Sequence, residues 1–309
     1  MADADGPGLT PVPELPEVEV VRRGLAEAVP GSTITAVEVT DSRALTRHPS
    51  PPDTFAPALL GAQVTAVVRR GKFLWFTLDP GRPDCLLAHL GMSGRLLLRE
   101  PDRAPERHER IRLRLRDPLG RQRGLVFADQ RTFGSLAVDA LVPTADGAPG
   151  GAGSDLAATA SQVTGIARDP LDPWFEPRRV RERMGRTASA VKRVLLDQRV
   201  VSGIGNIYAD EALWSARIHP DTPAHRLSDA RVRRLFAAVR AVFVQALAEG
   251  GTSFDAAYVN VNGESGRYVT ALNVYGRGGR ACPRCGATVE RAPFANRSSH
   301  FCPRCQRAG

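Results

Sequence analysis

Apolar positions change their period several times along the chain. Residues 1–12 show no periodicity and are broken by Pro7, Gly8 and Pro11, which predicts a disordered lead. Between Leu15 and Val29, the residues Val18, Val21, Leu25 and Val29 recur at helical spacing. Pro16 falls in the first turn, Gly31 lies past the end, and Glu14, Glu17 and Glu19 suit the positive end of the helix dipole. From Thr33 to about Ala140 the period is two. Val37 and Val39 alternate with Glu38 and Thr40, and Ile111, Leu113 and Leu115 alternate with Arg110, Arg112, Arg114 and Arg116. Gly71, Gly91, Gly94, Gly120, Gly124 and Gly134 punctuate these runs, so an antiparallel sandwich or barrel is expected. Residues 143–165, rich in Gly, Ala, Ser and Pro, read as a linker or surface insertion. Helical spacing then returns, most clearly from Ser228 to Glu249. There Ser228 can cap, Leu227 and Val232 can form a hydrophobic staple, and Gly250 can close the helix.

A length of 309 residues suggests two domains with a small appendage. The 42% hydrophobic content excludes wholesale disorder, and no run approaches the roughly 18 apolar residues of a membrane span. A basic start followed by an apolar stretch is missing, so the expectation is a cytoplasmic protein without a membrane partner, acting as a monomer. The formal net charge of +9 favours a polyanion, and nucleic acid is the commonest one. All the basic residues are arginine except Lys72 and Lys192. An ammonium can give up its proton where a guanidinium cannot, so both lysines are candidates for chemistry or phosphate contact.

Cys282, Cys285, Cys302 and Cys305 form two C-x2-C pairs on a short basic stretch. Four thiolates at this spacing can close a tetrahedron around one structural zinc ion, whereas Cys85, in an apolar run, reads as a buried thiol. The module spanning 277–309 carries seven arginines and one acid, Glu290, and reads as a zinc-stapled phosphate binder.

Four separated segments converge on one family: Pro13-Glu-Leu-Pro-Glu-Val-Glu19, His89-Leu-Gly-Met-Ser-Gly94, Gly203-Ile-Gly-Asn-Ile-Tyr208, and the four-cysteine stretch with Asn296-Arg297-Ser298 before its second pair. Together, in this order and from about Pro13 to Gln306, the chain resembles the bacterial formamidopyrimidine-DNA glycosylases. The resemblance implies an α+β chain: a lead (1–12), a catalytic helix-flanked antiparallel β-sandwich (13–142), a linker or insertion (143–172), a helix–two-turn–helix domain (173–276) and a zinc finger (277–309). It also implies excision of oxidised purines from damaged double-stranded DNA and cleavage at the resulting abasic site.

The same resemblance assigns roles to individual residues. Pro13 is expected as the nucleophile through its secondary amine, Glu14 as the adjacent acid/base group, Lys72 as an aid to β-elimination and Arg297 as the grip on the phosphate that leaves in δ-elimination. Glu17 is expected to help order water or the sugar. Met92, Arg131 and Phe133 are expected to fill the gap left by the extruded base. His108 is expected to contact DNA, and Lys192 and Asn206 to contact its backbone phosphates, with Gly203 and Gly205 letting a helix N-terminus approach phosphate. Thr187 and Arg267 depart from the family pattern, where lysine and an aromatic are common. In the chain as numbered, the Pro13 nitrogen is an amide and cannot attack a sugar carbon, so the expectation is that the working enzyme begins at Pro13. A catalytically silent zinc-finger DNA binder and a glycosylase preferring oxidised pyrimidines are the alternatives.

Overall fold

The computed structural model describes residues 13–252, 261–263 and 266–307. The expected lead at 1–12, and most of the Thr252–Tyr268 segment, lie outside the described residues.

The first helix, α1 (Leu15–Ala28), starts as its sequence dictates. Pro16 sits in the first turn, and the Glu14 N–H donates to Glu17 Oε2 at 3.0 Å in a reciprocal capping box. There follow β1 (Thr33–Val39), α2 (Phe55–Leu59), β2 (Val64–Arg70), β3 (Phe73–Leu78), β4 (Asp84–His89), β5 (Gly94–Arg99), β6 (Glu109–Arg116), β7 (Gln122–Asp129), β8 (Ser135–Pro143) and β9 (Ala158–Ala160). They form two antiparallel sheets, ordered β1-β6-β7-β5 and β2-β3-β4-β8-β9. The faces of Ile34, Phe76, Ile111, Leu113 and Phe127 close over one core with Val18 and Leu25 of α1 and Phe55 of α2. The alternation along β6 buries Ile111, Leu113 and Leu115 as expected. Its basic face is not wholly solvated, because Arg112 is buried in an ion pair with Glu109 (2.6 Å).

The glycine- and alanine-rich segment 143–165 is not a loose tether. It returns as β9 along the edge of β8, where Leu141 pairs with Ala160, and Ala160 and Val163 pack with Trp75. At Gly150 and Gly151 a side chain would collide with the backbone of Ala158 and of Arg69, so small residues are what lets this segment lie flat on the sheet.

The second half is helical: α3 (Pro177–Gly185), α4 (Val191–Leu196), α5 (Asn206–Ser215) and α6 (Asp229–Ala248). Ser228 caps α6, accepting from the Arg231 N–H, and Leu235, Phe236, Val239 and Phe243 share one core with Tyr208 of α5. Leu15 of α1 belongs to this second core, which locks the two halves together at the start of α1. Arg69 reinforces the joint: fully buried, it bridges Glu19 and Asp169, each at 2.8 Å. Burial pushes the Glu19 carboxyl up, but Arg22 and Arg69 overcome this and hold it at about 2. The chain ends in a hairpin of β10 (Glu290–Phe294) and β11 (Arg297–Phe301). No helix among the described residues is long and apolar enough to cross a membrane.

Candidate active site

The site forms around the N-terminus of α5. Gly203 carries φ +86°, a conformation that favours glycine, and its carbonyl accepts the Leu15 N–H at 3.0 Å, which delivers the start of α1 to this point. The Glu14 carboxylate then accepts the backbone N–H groups of Gly205 (2.6 Å) and Ile207 (2.9 Å). A side chain at Gly205 would collide with that carboxylate. The helix N-terminus expected to meet DNA phosphate is therefore taken by a carboxylate of the chain itself, and that expectation is corrected. Glu14 is 2% exposed. Burial raises its pKa to about 7, with Lys72 and the two amides pulling it down and Glu17 pushing it up.

Glu17, also buried, accepts the Tyr208 hydroxyl (2.6 Å) and both the N–H and the hydroxyl of Thr252 (2.7 and 2.8 Å). Lys72 is in the turn between β2 and β3, where Gly71 lies directly against Ser202. Burial lowers the Lys72 pKa, Glu14 resists, and Arg297 adds to the lowering. No ion pair closes on the Lys72 ammonium among the described residues. Pro13 is buried beside Glu14.

Arg297 opens β11 directly after the two-residue turn Ala295-Asn296 and is exposed. The finger that carries it docks on α5. Asn206 Nδ2 donates to the Ser298 carbonyl (3.1 Å), and His300 N–H donates to Asp210 Oδ2 (2.8 Å). Lys192 completes this joint. Its ammonium is fully buried, 2.6 Å from Asp210 Oδ1, and donates to Ser299 Oγ (2.8 Å) and the Ser298 carbonyl (3.0 Å). The expectation that Lys192 touches a DNA phosphate is corrected: its charge is spent inside the protein, tying α4 and α5 to the finger. Tyr275, which the sequence reading passed over, faces Asn206 and packs on His300 with ring centroids 5.0 Å apart. Buried Glu211 sets its position by accepting the backbone N–H groups of Val274 and Tyr275.

The sulfurs of Cys282, Cys285, Cys302 and Cys305 all lie within 4.8 Å of one another. Trp214 Nε1–H donates to Cys282 Sγ (3.4 Å), and Arg284 stacks over the Trp214 ring. This is the donor set of a structural zinc site, with its outer contacts supplied by α5. Cys85 is buried in the sandwich, away from the cluster.

A second group of residues projects from the sandwich. Buried Asp129 accepts the Ser93 hydroxyl (2.5 Å) and the N–H groups of Arg131 (3.0 Å) and Gly134 (2.8 Å). It thereby clamps the loop holding Met92 to the loop holding Arg131 and Phe133. Gly91 (φ +60°) fits where any side chain would strike the Phe133 backbone. The result leaves Met92 half-buried and Arg131 and Phe133 exposed, with Arg131 over the Phe133 ring at 5.4 Å. His108, at φ +68°, lies just before β6, and its carbonyl accepts the Asp129 N–H. Thr187 bonds Ser189, and Arg267 is exposed.

A sandwich and a helical domain that meet on one buried carboxylate, with a basic four-thiol finger docked beside it on α5, are the architecture of a nucleic-acid-processing class of protein. Comparison with known proteins narrows it. Residues 12–136 match the formamidopyrimidine-DNA glycosylase N-terminal domain, 166–257 match the H2TH domain of the same proteins, and 279–308 match the zinc finger found in FPG and IleRS. The formamidopyrimidine-DNA glycosylase of Leifsonia xyli subsp. xyli is 56% identical over 96% of this chain and 100% of its own. The Lactococcus lactis Fpg, solved in complex with a Fapy-dG containing DNA, is 30% identical with a TM-score of 0.77, covering 95% of this chain and 100% of its own. The same protein with an abasic site containing DNA gives the same score over 95% of this chain and 99% of its own. The chain belongs to the formamidopyrimidine-DNA glycosylase family.

Proposed function

We propose that this chain excises oxidised purines from duplex DNA in base excision repair and cleaves the abasic strand by successive β- and δ-elimination. The observation that carries the reading is the buried Glu14 carboxylate beside Pro13, seated on the Gly205 and Ile207 amides at the domain joint. The chain divides into five parts: lead to 12, catalytic sandwich to about 142, insertion to 172, helical domain to 276 and finger thereafter.

In the proposed reaction the Pro13 amine attacks the anomeric carbon of the damaged nucleotide, the base leaves, and an iminium forms. An α-amino group titrates near roughly 8, about two units below lysine, so a useful share is neutral at cellular pH. Glu14, with its pKa near 7, can hold a proton there and pass it to the sugar oxygen. Lys72, pushed toward its neutral form, assists removal of the sugar proton, and Arg297 grips the leaving phosphate. Met92, Arg131 and Phe133 enter the duplex where the base is extruded, while Asn206 holds the backbone and His108 contacts the DNA. The enzyme acts as a monomer on the DNA of the bacterial cytoplasm, with one zinc holding the finger.

The chemistry requires a free Pro13 nitrogen, so the bond from Val12 must be absent in the active form. Borohydride trapping on a lesion-containing duplex tests this. Protein beginning at Pro13 should form a covalent adduct, and protein retaining residues 1–12 should form none. Equal trapping by both forms would remove Pro13 from the mechanism.

A further inference from the structure

A cleft outside the catalytic cluster collects cations that none of the chemistry above uses. It opens where the insertion 143–165, the run preceding α3, and α3 itself meet β2. Two adjoining cavities of about 280 Å³ each share Arg70, Asp146 and Arg179. Neither Glu14, Lys72 nor Arg297 lines them.

Three observations point to an anionic ligand. Arg70 follows Arg69 on β2 and so faces the opposite way. It is 7% exposed, and its Nε and Nη2 find no hydrogen-bond partner among the described residues. The Thr159 hydroxyl, buried on the wall of the second cavity, likewise has no partner among the described residues. The first cavity gathers five arginines, including exposed Arg179, Arg183 and Arg199, against two carboxylates, Asp146 and Glu176. Arg168 is committed to Asp146 and Asp172, Arg199 is paired with Asp197 (3.2 Å), and Arg179 holds Glu176 only through Nε (3.1 Å) at the exposed rim, while Arg183 closes no ion pair among the described residues. Burial lowers the Arg70 pKa, Arg168 adds to that, and Asp172, Asp146 and Asp169 offset part of it without a hydrogen bond. A buried guanidinium with unmade hydrogen bonds is costly unless a partner arrives. At the mouth stands Trp174, 57% exposed, with its ring free to stack.

We propose that this cleft binds a nucleotide, its phosphates meeting Arg70 and Arg179 and its base lying on Trp174. A small ligand fits better than a duplex, because a rigid backbone reaches surface cations rather than one nine-tenths buried between two cavities. Seating the ligand there would tie the insertion to α3 and so brace the joint between the sandwich and the helical domain.

Calorimetry and thermal shift on the full chain test the site with ADP, inorganic pyrophosphate and adenosine, independently of glycosylase activity. Saturable 1:1 binding of ADP is expected, with adenosine and pyrophosphate each weaker by about tenfold or more. Arg70→Met should weaken ADP by about tenfold or more, and Trp174→Ala should remove most of the advantage of ADP over pyrophosphate. Should Arg70→Met not fold, Arg179→Ala and Arg183→Ala, both on the surface, carry the same test. The proposal falls if ADP fails to saturate at millimolar concentration, or if the arginine variants bind it as the parent does. It falls equally if pyrophosphate binds as tightly as ADP. Displacement of ADP by undamaged duplex DNA would make the cleft part of the DNA surface instead, and would also overturn it.

Discussion

Glu14 and Gly205 lie 191 residues apart, and the carboxylate of the first accepts the backbone N–H of the second at 2.6 Å. This contact puts a buried acid on the positive end of α5 and on the Pro13 side of the domain joint. Its carboxyl is raised from 4.5 to about 7, chiefly by burial. A carboxyl whose folded pKa is raised binds more protons when folded, so its contribution to stability is complete below about 4.5 and is lost as the pH rises through 7. The loss is on the order of 3 kcal/mol across that window. Urea unfolding of Glu14→Gln and parent protein should therefore show the parent's relative stability falling from pH 5 to pH 8. A gap that does not move with pH would mean that Glu14 does not titrate in place. Base excision by the variant should drop by about 10²-fold or more.

The same contact predicts the effect of a single methyl group. Gly205→Ala must push the Glu14 carboxylate off its amides, since the added carbon overlaps it. Gly205 has an ordinary extended backbone, so the harm is steric and local to the site. The expected result is a loss of ~1–3 kcal/mol in stability, with a fall in excision rate that Glu14→Gln does not deepen when the two are combined. Additive losses in the double variant would separate Gly205 from Glu14.

What the chain reveals before folding, and what it hides, follows from range. The helix at Leu15–Ala28, the capped helix after Ser228 and the alternation of Ile111, Leu113 and Leu115 rest on neighbours a few residues away, and periodicity reports them. The four cysteines were legible because metal ligation imposes its own spacing. The segment 143–165 was not, since small residues look alike in a tether and in a strip pressed against Trp75. Lys192 was misplaced because its type suggests phosphate, while its partner Asp210 sits on another helix. Asp129 and Glu211, which organise two loops through backbone N–H groups, leave no pattern that a linear reading can find.

Lys192 and Asp210 form a buried pair, and its two halves should not respond independently. Lys192→Met alone strands the Asp210 carboxylate, and Asp210→Asn alone strands the ammonium, so each should cost ~3–5 kcal/mol. Joined, Lys192→Met and Asp210→Asn leave no unpaired charge, and the double variant should be more stable than either single one. Chemical denaturation of the four proteins measures the coupling. If Lys192 instead served a DNA phosphate, the single variant would keep its stability and lose only salt-dependent affinity.

Phe133 predicts the reverse separation. It is 57% exposed, with Arg131 over its ring, so Phe133→Ala should alter stability by no more than ~0.5 kcal/mol. Its proposed work is in the duplex, where it wedges the stack while the lesion is turned out. Single-turnover excision from a paired duplex should slow markedly, while strand cleavage at a ready-made abasic site, which has no base to extrude, should change little. Equal slowing on both substrates would show that Phe133 supports binding alone.

Zinc removal acts through the joint between the finger and α5. The hairpin that holds Arg297 has little core beyond Val274, Val289 and the thiols, so losing the metal should melt it while the sandwich core stays folded. A strong chelator should then release the contacts of Ser298, Ser299 and His300 with Asn206, Lys192 and Asp210. Amide exchange should rise across β10 and β11 and at the start of α5, and stay slow in β6 and β7. Because Arg297 leaves with the hairpin, β,δ-elimination and duplex affinity should fall together and return on adding zinc. Exchange unchanged at α5 after metal loss would show that the finger is held by its own fold, and that the buried Lys192–Asp210 pair does not depend on it.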